Sequence, residues 1–223
     1  MMEELRKILV ESGADLVGFA NLEKYSINNE LSFGISIAIK LSPELINSIK
    51  KDNKIFYYKE FNRIYNLLDN IIKIGTEYLI KNGFKAYAQT NENVKFSGNF
   101  TTNLPHKTVA TRAGLGWIGK CGLLITNDYG SGVRISSFLT NAKLECGKPI
   151  EKSFCGKCLE CVINCPTNAI TGKIWTKDVK REELIDVNKC IKTQEKVSMD
   201  KINRETTLCG KCFIVCPYTI KNM

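Results

Sequence analysis

The sequence lacks the segments that would mark a membrane or secreted protein. Its longest apolar stretch, around residues 35–39, is far too short to span a bilayer, and the N-terminus has no charged-then-apolar signal segment. These absences argue against a membrane protein and against a secreted protein held together by disulfides. We therefore expect a protein of the reducing cytoplasm that makes no membrane contact.

The sequence also lacks the acid that a dinucleotide site needs. Residues 114–119 read Gly-x-Gly-x-x-Gly, but a Rossmann fingerprint follows a strand, opens a helix and has an acid about 20 residues further on. Here a helical segment comes first, a strand follows, and Leu139 stands near the position of the acid. The glycines either let the backbone approach a large flat or phosphate-bearing ligand, with Lys120 and Arg112 near its anionic parts, or form a packed turn.

Cysteine, in contrast, is abundant, and most of the ten cysteines fall into two runs. Three cysteines spaced two residues apart let one tight loop reach three corners of an iron–sulfur cubane, while a cysteine before proline serves the other cluster of a pair. Zinc sites usually pair two separated CxxC knuckles, so this repeated pattern favours iron–sulfur clusters. The runs are Cys155-x2-Cys158-x2-Cys161-x3-Cys165-Pro166 and Cys209-x2-Cys212-x3-Cys216-Pro217.

The ligation rule predicts two [4Fe-4S] clusters that exchange one ligand between the runs. The second cluster is one ligand short, because the register of the first run places Thr206 where its remaining cysteine should be. The nearest unused upstream cysteine, Cys190, is our candidate, which makes the residues between it and Cys209 an insertion; Cys146 is the next candidate. The predicted ligands are Cys155, Cys158, Cys161 and Cys216 for the first cluster, and Cys165, Cys190, Cys209 and Cys212 for the second.

The length of 223 residues predicts two domains, an α/β body over residues 1–148 and a small cluster domain over residues 149–223. The net charge of +9 falls to about +5 once each cubane with its thiolates contributes about −2. The basic residues are spread along the chain, which is typical of solvated surface rather than of a nucleic-acid site. Apolar periodicity predicts helices near residues 2–12 and 55–80, and strands near 16–20, 35–40, 84–89, 122–126 and 133–139.

Two neighbouring motifs together resemble the epoxyqueuosine reductase family. They are the segment Ala113-Gly-Leu-Gly-Trp-Ile-Gly-Lys120 and, after a Gly-Ser-Gly segment with a strand, the first cysteine run. The family is similar to the reductive dehalogenases: a nitroreductase-like α/β module holds cobalamin beside a bacterial-ferredoxin-like domain with two clusters, and an epoxide on a tRNA nucleoside is reduced to give queuosine. The resemblance therefore implies an α+β fold and an iron–sulfur oxidoreductase of tRNA processing.

The resemblance also implies a corrinoid site. Residues 112–120 and the strands that follow would line the corrinoid pocket, and one cluster would pass electrons to cobalt. A low-potential donor such as ferredoxin or flavodoxin would supply those electrons. The implied cofactor-binding residues are Arg112, Gly114, Gly116, Trp117, Gly119, Lys120 and Arg134.

The sequence departs from the family pattern in two places. The family's catalytic acid lies in an Asp-x-x-Pro-type motif, whereas residues 101–106 here read Thr-Thr-Asn-Leu-Pro-His, and Asn103 cannot supply a proton as a carboxylic acid does. Full-length enzymes carry a C-terminal helical-repeat extension that helps to hold tRNA, and this sequence ends at Met223. We expect a small or nucleoside-like substrate, with tRNA left open. The alternative is a ferredoxin-like electron-transfer or activating partner of another enzyme, without its own substrate.

His106, the one histidine, is a candidate general acid, because a reductive bond cleavage needs protons as well as electrons. The alternative is that it simply begins a helix through Arg112. Tyr129 is a weaker candidate donor. Cys121 and Cys146 remain after the cluster ligands are counted, and a small buried cysteine is the commoner role for such residues.

Overall fold

The computed structural model describes residues 1–25 and 30–221, and all of its strands lie in the first 140 residues. The helices are α1 (Met2–Glu11), α2 (Pro43–Lys50), α3 (Lys54–Lys81), α4 (His106–Arg112), α5 (Glu160–Ile163), α6 (Arg181–Leu184), α7 (Val187–Ile202), α8 (Lys211–Ile214) and α9 (Pro217–Lys221), with a 3-10 turn at Gly98–Phe100. The strands are β1 (Leu16–Asn21), β2 (Phe33–Lys40), β3 (Ala86–Ala88), β4 (Gly116–Ile118), β5 (Leu124–Thr126) and β6 (Val133–Thr140).

The chain divides into two compact units. The first unit contains residues 1–40, 64–116 and 134–150, and the second contains residues 41–63, 117–133 and 151–223. All residues from 151 onward that the structure describes therefore belong to the second unit. Two internal stretches, 41–63 and 117–133, group with the cysteine-rich segment.

The first unit is built on a four-stranded sheet in the order β1-β2-β6-β3. The pairs β1/β2 and β3/β6 are antiparallel, with Leu16 opposite Ala38 and Ala86 opposite Thr140. Six consecutive residues of β2 are buried, so both faces of this strand are covered. This burial explains why its sequence is a nearly continuous apolar run rather than an alternating one.

Helical side chains complete the core of the first unit. Leu5 and Leu9 of α1 are fully buried, as the spacing of apolar residues in the sequence predicts. Within α3, Gly75 lies so close to the fully buried Phe138 that a Cβ at this position would stand 2.5 Å from its Cζ. The helices predicted near residues 2–12 and 55–80 are confirmed, and the strand predicted over 84–89 is shorter.

Two helices of the second unit begin at side-chain caps. Ser42 Oγ accepts from the Leu45 N–H at 3.2 Å and caps α2, while an Asp186 carboxylate oxygen accepts from the Lys189 N–H at 3.0 Å and caps α7. Sequence periodicity did not predict either helix. Helix α7 contains Cys190 and extends through much of the predicted insertion before Cys209. Within the described ranges, no helix is long and apolar enough to cross a membrane.

Candidate cluster and cofactor site

The two cysteine runs form equivalent structures in the second unit. Cys161 lies in α5 and Cys212 in α8, and these two short helices contact each other. Each helix is followed by a Cys-Pro pair, Cys165 with Pro166 and Cys216 with Pro217, so the alignment of the runs in sequence is also an alignment in structure.

Cys165 lies in a hydrogen-bonding environment that suits a metal-bound thiolate. Its sulfur accepts from the Ala169 N–H at 3.3 Å and lies 3.6 Å from the Thr167 hydroxyl oxygen. Burial acts to raise the pKa of Cys165, but hydrogen bonds from Thr167, Ala169 and Ile170 outweigh it and lower the pKa. The thiolate, which is the form that ligates iron, is thereby favoured.

Cys190 lies beside two other predicted ligands of the second cluster. Burial raises the pKa of the Cys190 thiol most, and the neighbouring Cys209 and Cys165 raise it further. Gln194, one helical turn along α7, donates to the Cys190 sulfur at 3.2 Å. Helix α7 therefore brings Cys190 close to Cys209 and Cys165. The ligand role of Cys190 stays a prediction that this proximity supports.

Cys121, which the sequence left without a role, lies at the cysteine runs. It is 4% exposed, and its thiol lies close enough to Cys161 and Cys212, the equivalent residues of the two runs, for both to affect its pKa, which is raised. The contact with Cys121 is the largest cause of a raised pKa at Cys161. Cys146, by contrast, lies in the first unit, where its thiol donates to the Leu144 carbonyl at 3.3 Å.

The donor set near the cysteine runs consists of thiols. Among the described residues, no three His, Cys, Asp or Glu side chains form a group that could hold a single metal ion. The thiols form neighbouring groups around α5, α7 and α8. Thiolates are the ligands that iron–sulfur clusters use.

Two buried lysines touch the cysteine runs. Lys120 Nζ donates to the Cys158 carbonyl at 2.8 Å, and Lys54 Nζ donates to the Cys209 carbonyl at 3.4 Å. Both residues are 4% exposed. Lys120 was predicted to lie near anionic parts of a ligand, and its ammonium group faces the loop of the first cysteine run. Lys54 carried no signal in the sequence, because only the fold brings it to Cys209.

The first unit contains a buried chain of polar side chains around His106. Gln89 donates through Nε2 to the Leu104 carbonyl at 3.0 Å, and Ser137 Oγ donates to Gln89 Oε1 at 2.7 Å. His106 Nδ1 lies 2.8 Å from Ser137 Oγ. Since Ser137 has used its one proton on an amide oxygen, Nδ1 must be the donor. His106 therefore carries its proton on Nδ1 and leaves Nε2 as an acceptor.

Burial lowers the pKa of His106 to about 4. At neutral pH the ring is uncharged, and its one N–H is committed to Ser137. These two facts are at odds with the sequence-based role of general acid, because the ring has no further proton to give. The predicted helix from His106 through Arg112 is present as α4. Tyr129, the weaker candidate donor, lies in the second unit at the turn after β5.

The glycines of residues 114–119 are packed closely against neighbouring residues of the same chain. Gly114 has φ +75°, and a Cβ there would stand 2.7 Å from the Lys148 carbonyl oxygen. At Gly119 a Cβ would clash with Ile125 Cδ1, and Gly116 is buried at the start of β4. Close packing thus explains why positions 114 and 119 require glycine, as the packed-turn alternative predicts. The cofactor role of these glycines stays a prediction.

Trp117 is held rigidly in the second unit. Its ring is 1% exposed and meets Phe154 and Tyr218 edge to face, at centroid distances of 5.1 and 4.9 Å. Its buried Nε1 has no hydrogen-bond partner within residues 1–25 and 30–221. In the first unit, the Arg112 guanidinium lies 5.5 Å from the centre of the Tyr25 ring, and Arg134 is partly buried in β6.

Comparison with known proteins agrees with the cysteine pattern. The sequence profile of the 4Fe-4S double cluster binding domain matches residues 154–219. The epoxyqueuosine reductase of Lactococcus garvieae is 32% identical over 158 residues, which are 65% of this chain and 42% of that protein. The epoxyqueuosine reductase of Atelocyanobacterium thalassa is 27% identical over 218 residues, 92% of this chain and 65% of that protein. The chain thus spans about two fifths to two thirds of the length of these relatives.

Solved structures share the fold. The crystal structure of an epoxyqueuosine reductase with a modified tRNA-Tyr stem loop matches with a TM-score of 0.64 and 18% identity, over 98% of this chain and 65% of that chain. A catabolic reductive dehalogenase in complex with 3-bromo-4-hydroxybenzoic acid matches with a TM-score of 0.70 and 20% identity, over 97% of this chain and 31% of that chain. The expected α+β fold is confirmed, and the chain is similar to epoxyqueuosine reductases and matches a double 4Fe-4S cluster binding domain over residues 154–219.

Proposed function

We propose that the protein is an iron–sulfur reductase that relays electrons from a low-potential donor through two [4Fe-4S] clusters to a nucleoside-like substrate. The observation that carries this proposal is the grouping of the cysteines of both runs around α5, α7 and α8 within a matched double-cluster domain. A double-cluster arrangement is an electron relay, since each cluster exchanges single electrons without binding substrate itself.

The ligand sets that we propose exchange one cysteine between the runs. Cys165 would serve the second cluster, where its neighbours include Cys190, and Cys216 would serve the first. Cys216 is 7% exposed, and the turn that follows it begins α9. As a ligand, the buried Cys216 would shield the first cluster from solvent, and solvent exposure is one of the factors that set a cluster potential.

The substrate class follows from the relatives. Epoxyqueuosine reductases act on a nucleoside epoxide, and one of them is solved with an epoxyqueuosine-modified tRNA stem loop. Reduction of an epoxide to an alkene takes two electrons and two protons and releases the oxygen as water. With Nδ1–H donated to Ser137, His106 would take part through Nε2, as an acceptor that orients a substrate hydroxyl or a proton-carrying water.

A corrinoid is the second cofactor that we propose. One of the similar dehalogenases is described as supporting B12-dependent dehalogenation. When bound, a corrinoid would supply a cobalt centre that accepts electrons from a cluster. The orphaned Nε1 of Trp117 and the guanidinium of Arg112 are donors of the kind that corrinoid amides and phosphate require, and Arg134 is a third such donor.

The test is anaerobic reconstitution with iron, sulfide and cobalamin, followed by desalting and analysis of metals and turnover of an epoxide-bearing nucleoside. About eight irons, bound cobalt and epoxide reduction are expected. About eight irons without cobalt or turnover would contradict the reductase and favour an electron-transfer partner instead. A Trp117→Phe variant, which keeps the ring packing but removes Nε1, should assemble its clusters and bind cobalamin more weakly. A Trp175→Phe variant, at the other tryptophan of the sequence, is the matched control.

A further inference from the structure

A buried lysine touches the equivalent cysteine of each run. Alignment of the runs on their Cys-x3-Cys-Pro segments makes Cys158 the counterpart of Cys209. Lys120 Nζ donates to the carbonyl of Cys158, and Lys54 Nζ donates to that of Cys209, at 2.8 and 3.4 Å. The two lysines come from unrelated positions in the chain. Lys54 is the first residue of α3, and Lys120 lies two residues after the end of β4. The fold therefore places one ammonium group at the same point of each cluster loop.

The two lysines differ in their countercharge. Lys54 Nζ lies 3.4 Å from a carboxylate oxygen of Asp52, which also pairs with Lys201 at 2.9 Å. Within the described ranges, Lys120 has no carboxylate at ion-pair distance, and the Cys158 carbonyl is its hydrogen-bond acceptor. A buried ammonium is very costly unless an anion or several acceptors surround it. An oxidised cubane with its four thiolates carries about −2 and would therefore be the anionic partner that Lys120 otherwise lacks among the described residues.

We propose that Lys120 and Lys54 are matched electrostatic partners of the first and second clusters, and that Asp52 makes them unequal. This inference rests on the two-cluster assignment of the proposed function. Lys120 would present its positive charge to the first cluster, whereas Asp52, which Lys54 shares with the exposed Lys201, would offset part of the charge of Lys54 at the second. Neither lysine contacts substrate; both act on the potentials of the clusters.

The physical consequence is a direction for electron flow. Reduction adds a negative charge to a cluster, and a buried positive charge close by stabilises that charge strongly because the surroundings screen it little. The first cluster should therefore be the easier one to reduce. Electrons that enter at the second cluster would then settle on the first.

The decisive experiment is a redox titration of the reconstituted protein, monitored by electron paramagnetic resonance, with three single variants. Lys120→Met should change the reduction equilibrium of the first cluster at least tenfold. This change corresponds to a reduction potential lower by about 59 mV for one electron. Lys54→Met should lower the potential of the second cluster by less, and Asp52→Asn should raise it. Cys155→Ser and Cys190→Ser, each of which alters one cluster, assign the two signals.

Lys177→Met is the matched control, because Lys177 lies in the same unit, pairs with Glu151 and is half exposed. It should leave both potentials unchanged. Unshifted potentials in Lys120→Met protein with a full iron content would overturn the inference while leaving the reductase intact. If the Lys120→Met protein does not assemble its clusters, the Asp52→Asn protein provides the test, because the Asp52 side chain is half exposed and its replacement should not prevent folding. An unchanged potential of the second cluster in that protein would overturn the proposal. Wild-type protein that holds no clusters would instead overturn the proposed function.

Discussion

The two units of the molecule are stabilised in different ways. The first buries large apolar side chains such as Leu5, Leu9 and Phe138 completely, against a four-stranded sheet. The second places Cys161 and Cys212 on four-residue helices, and α5 has no buried residue at all. Helices this short are not stable by themselves. We conclude that the first unit folds through its apolar core and that the cysteine-rich part of the second depends on its clusters.

The largest expected effect is from Cys158→Ala, which removes a proposed ligand of the first cluster. Iron content should fall from about eight to about four, and amide exchange in residues 151–221 should accelerate, because cluster binding supplies folding free energy there. Exchange in the first unit should stay slow. Uniform acceleration in both units would contradict the difference that we infer between them.

Cys190→Ala tests the ligand supplied by α7. Without this thiol the second cluster should not assemble, so that about four irons and a single cluster signal remain. Cys146→Ala and Cys121→Ala are controls that should keep the full iron content. Two complete clusters in the Cys190→Ala protein would show that the assignment is wrong, and Cys121, which lies close to Cys161 and Cys212, would replace Cys146 as the next candidate.

The pH dependence of stability should differ between the units through His106. The folded-state pKa of His106 is lowered from 6.5 to about 4, so between these values the unfolded chain binds a proton that the folded protein does not. Stability is therefore complete above about pH 6.5 and is lost as the pH falls toward 4, by about 2 kcal/mol between pH 7 and pH 5. Urea unfolding followed by circular dichroism measures this loss.

His106→Asn is the control for that pH dependence. The Asn amide can donate to Ser137 in place of Nδ1–H and does not titrate in this range. The stability of the variant should change less with pH than that of the wild type. Equal slopes for the two proteins would show that His106 is not the titrating group.

The smallest expected effect is in the core of the first unit. Gly75→Ala should favour helix formation, but its Cβ would stand 2.5 Å from Phe138 Cζ, and the overpacking should leave a net loss of about 1 kcal/mol. In a Phe138→Leu background the same substitution should be neutral or stabilising. A double-mutant cycle by urea unfolding measures this coupling, and strict additivity would contradict the packing that we describe.

Sequence patterns predicted the parts of the structure that local chemistry determines. The apolar spacing of α1 and α3 predicted helices with a buried face, and the cysteine spacing predicted a double-cluster domain that the profile match confirms. Helices α2 and α7 were missed, because α2 is short and α7 has few buried residues to produce a periodic pattern. The sequence also linked Cys190 to the second run only by elimination.

Long-range contacts were beyond the reach of sequence patterns. The hydrogen-bond chain through Gln89, Ser137 and His106 joins residues up to 48 positions apart, and the contact of Lys54 with Cys209 joins residues 155 positions apart. No local motif encodes such pairs. These contacts set the tautomer of His106 and, in our proposal, the electrostatics of the clusters, and the sequence did not reveal them.

The most direct test of the account is the iron and sulfide content of anaerobically reconstituted protein, measured with a redox titration of the same sample. We predict about eight irons and eight sulfides per chain and two one-electron waves. A content of about four irons with a single wave, or stoichiometric zinc that excludes iron, would contradict the two-cluster relay on which the proposed function depends.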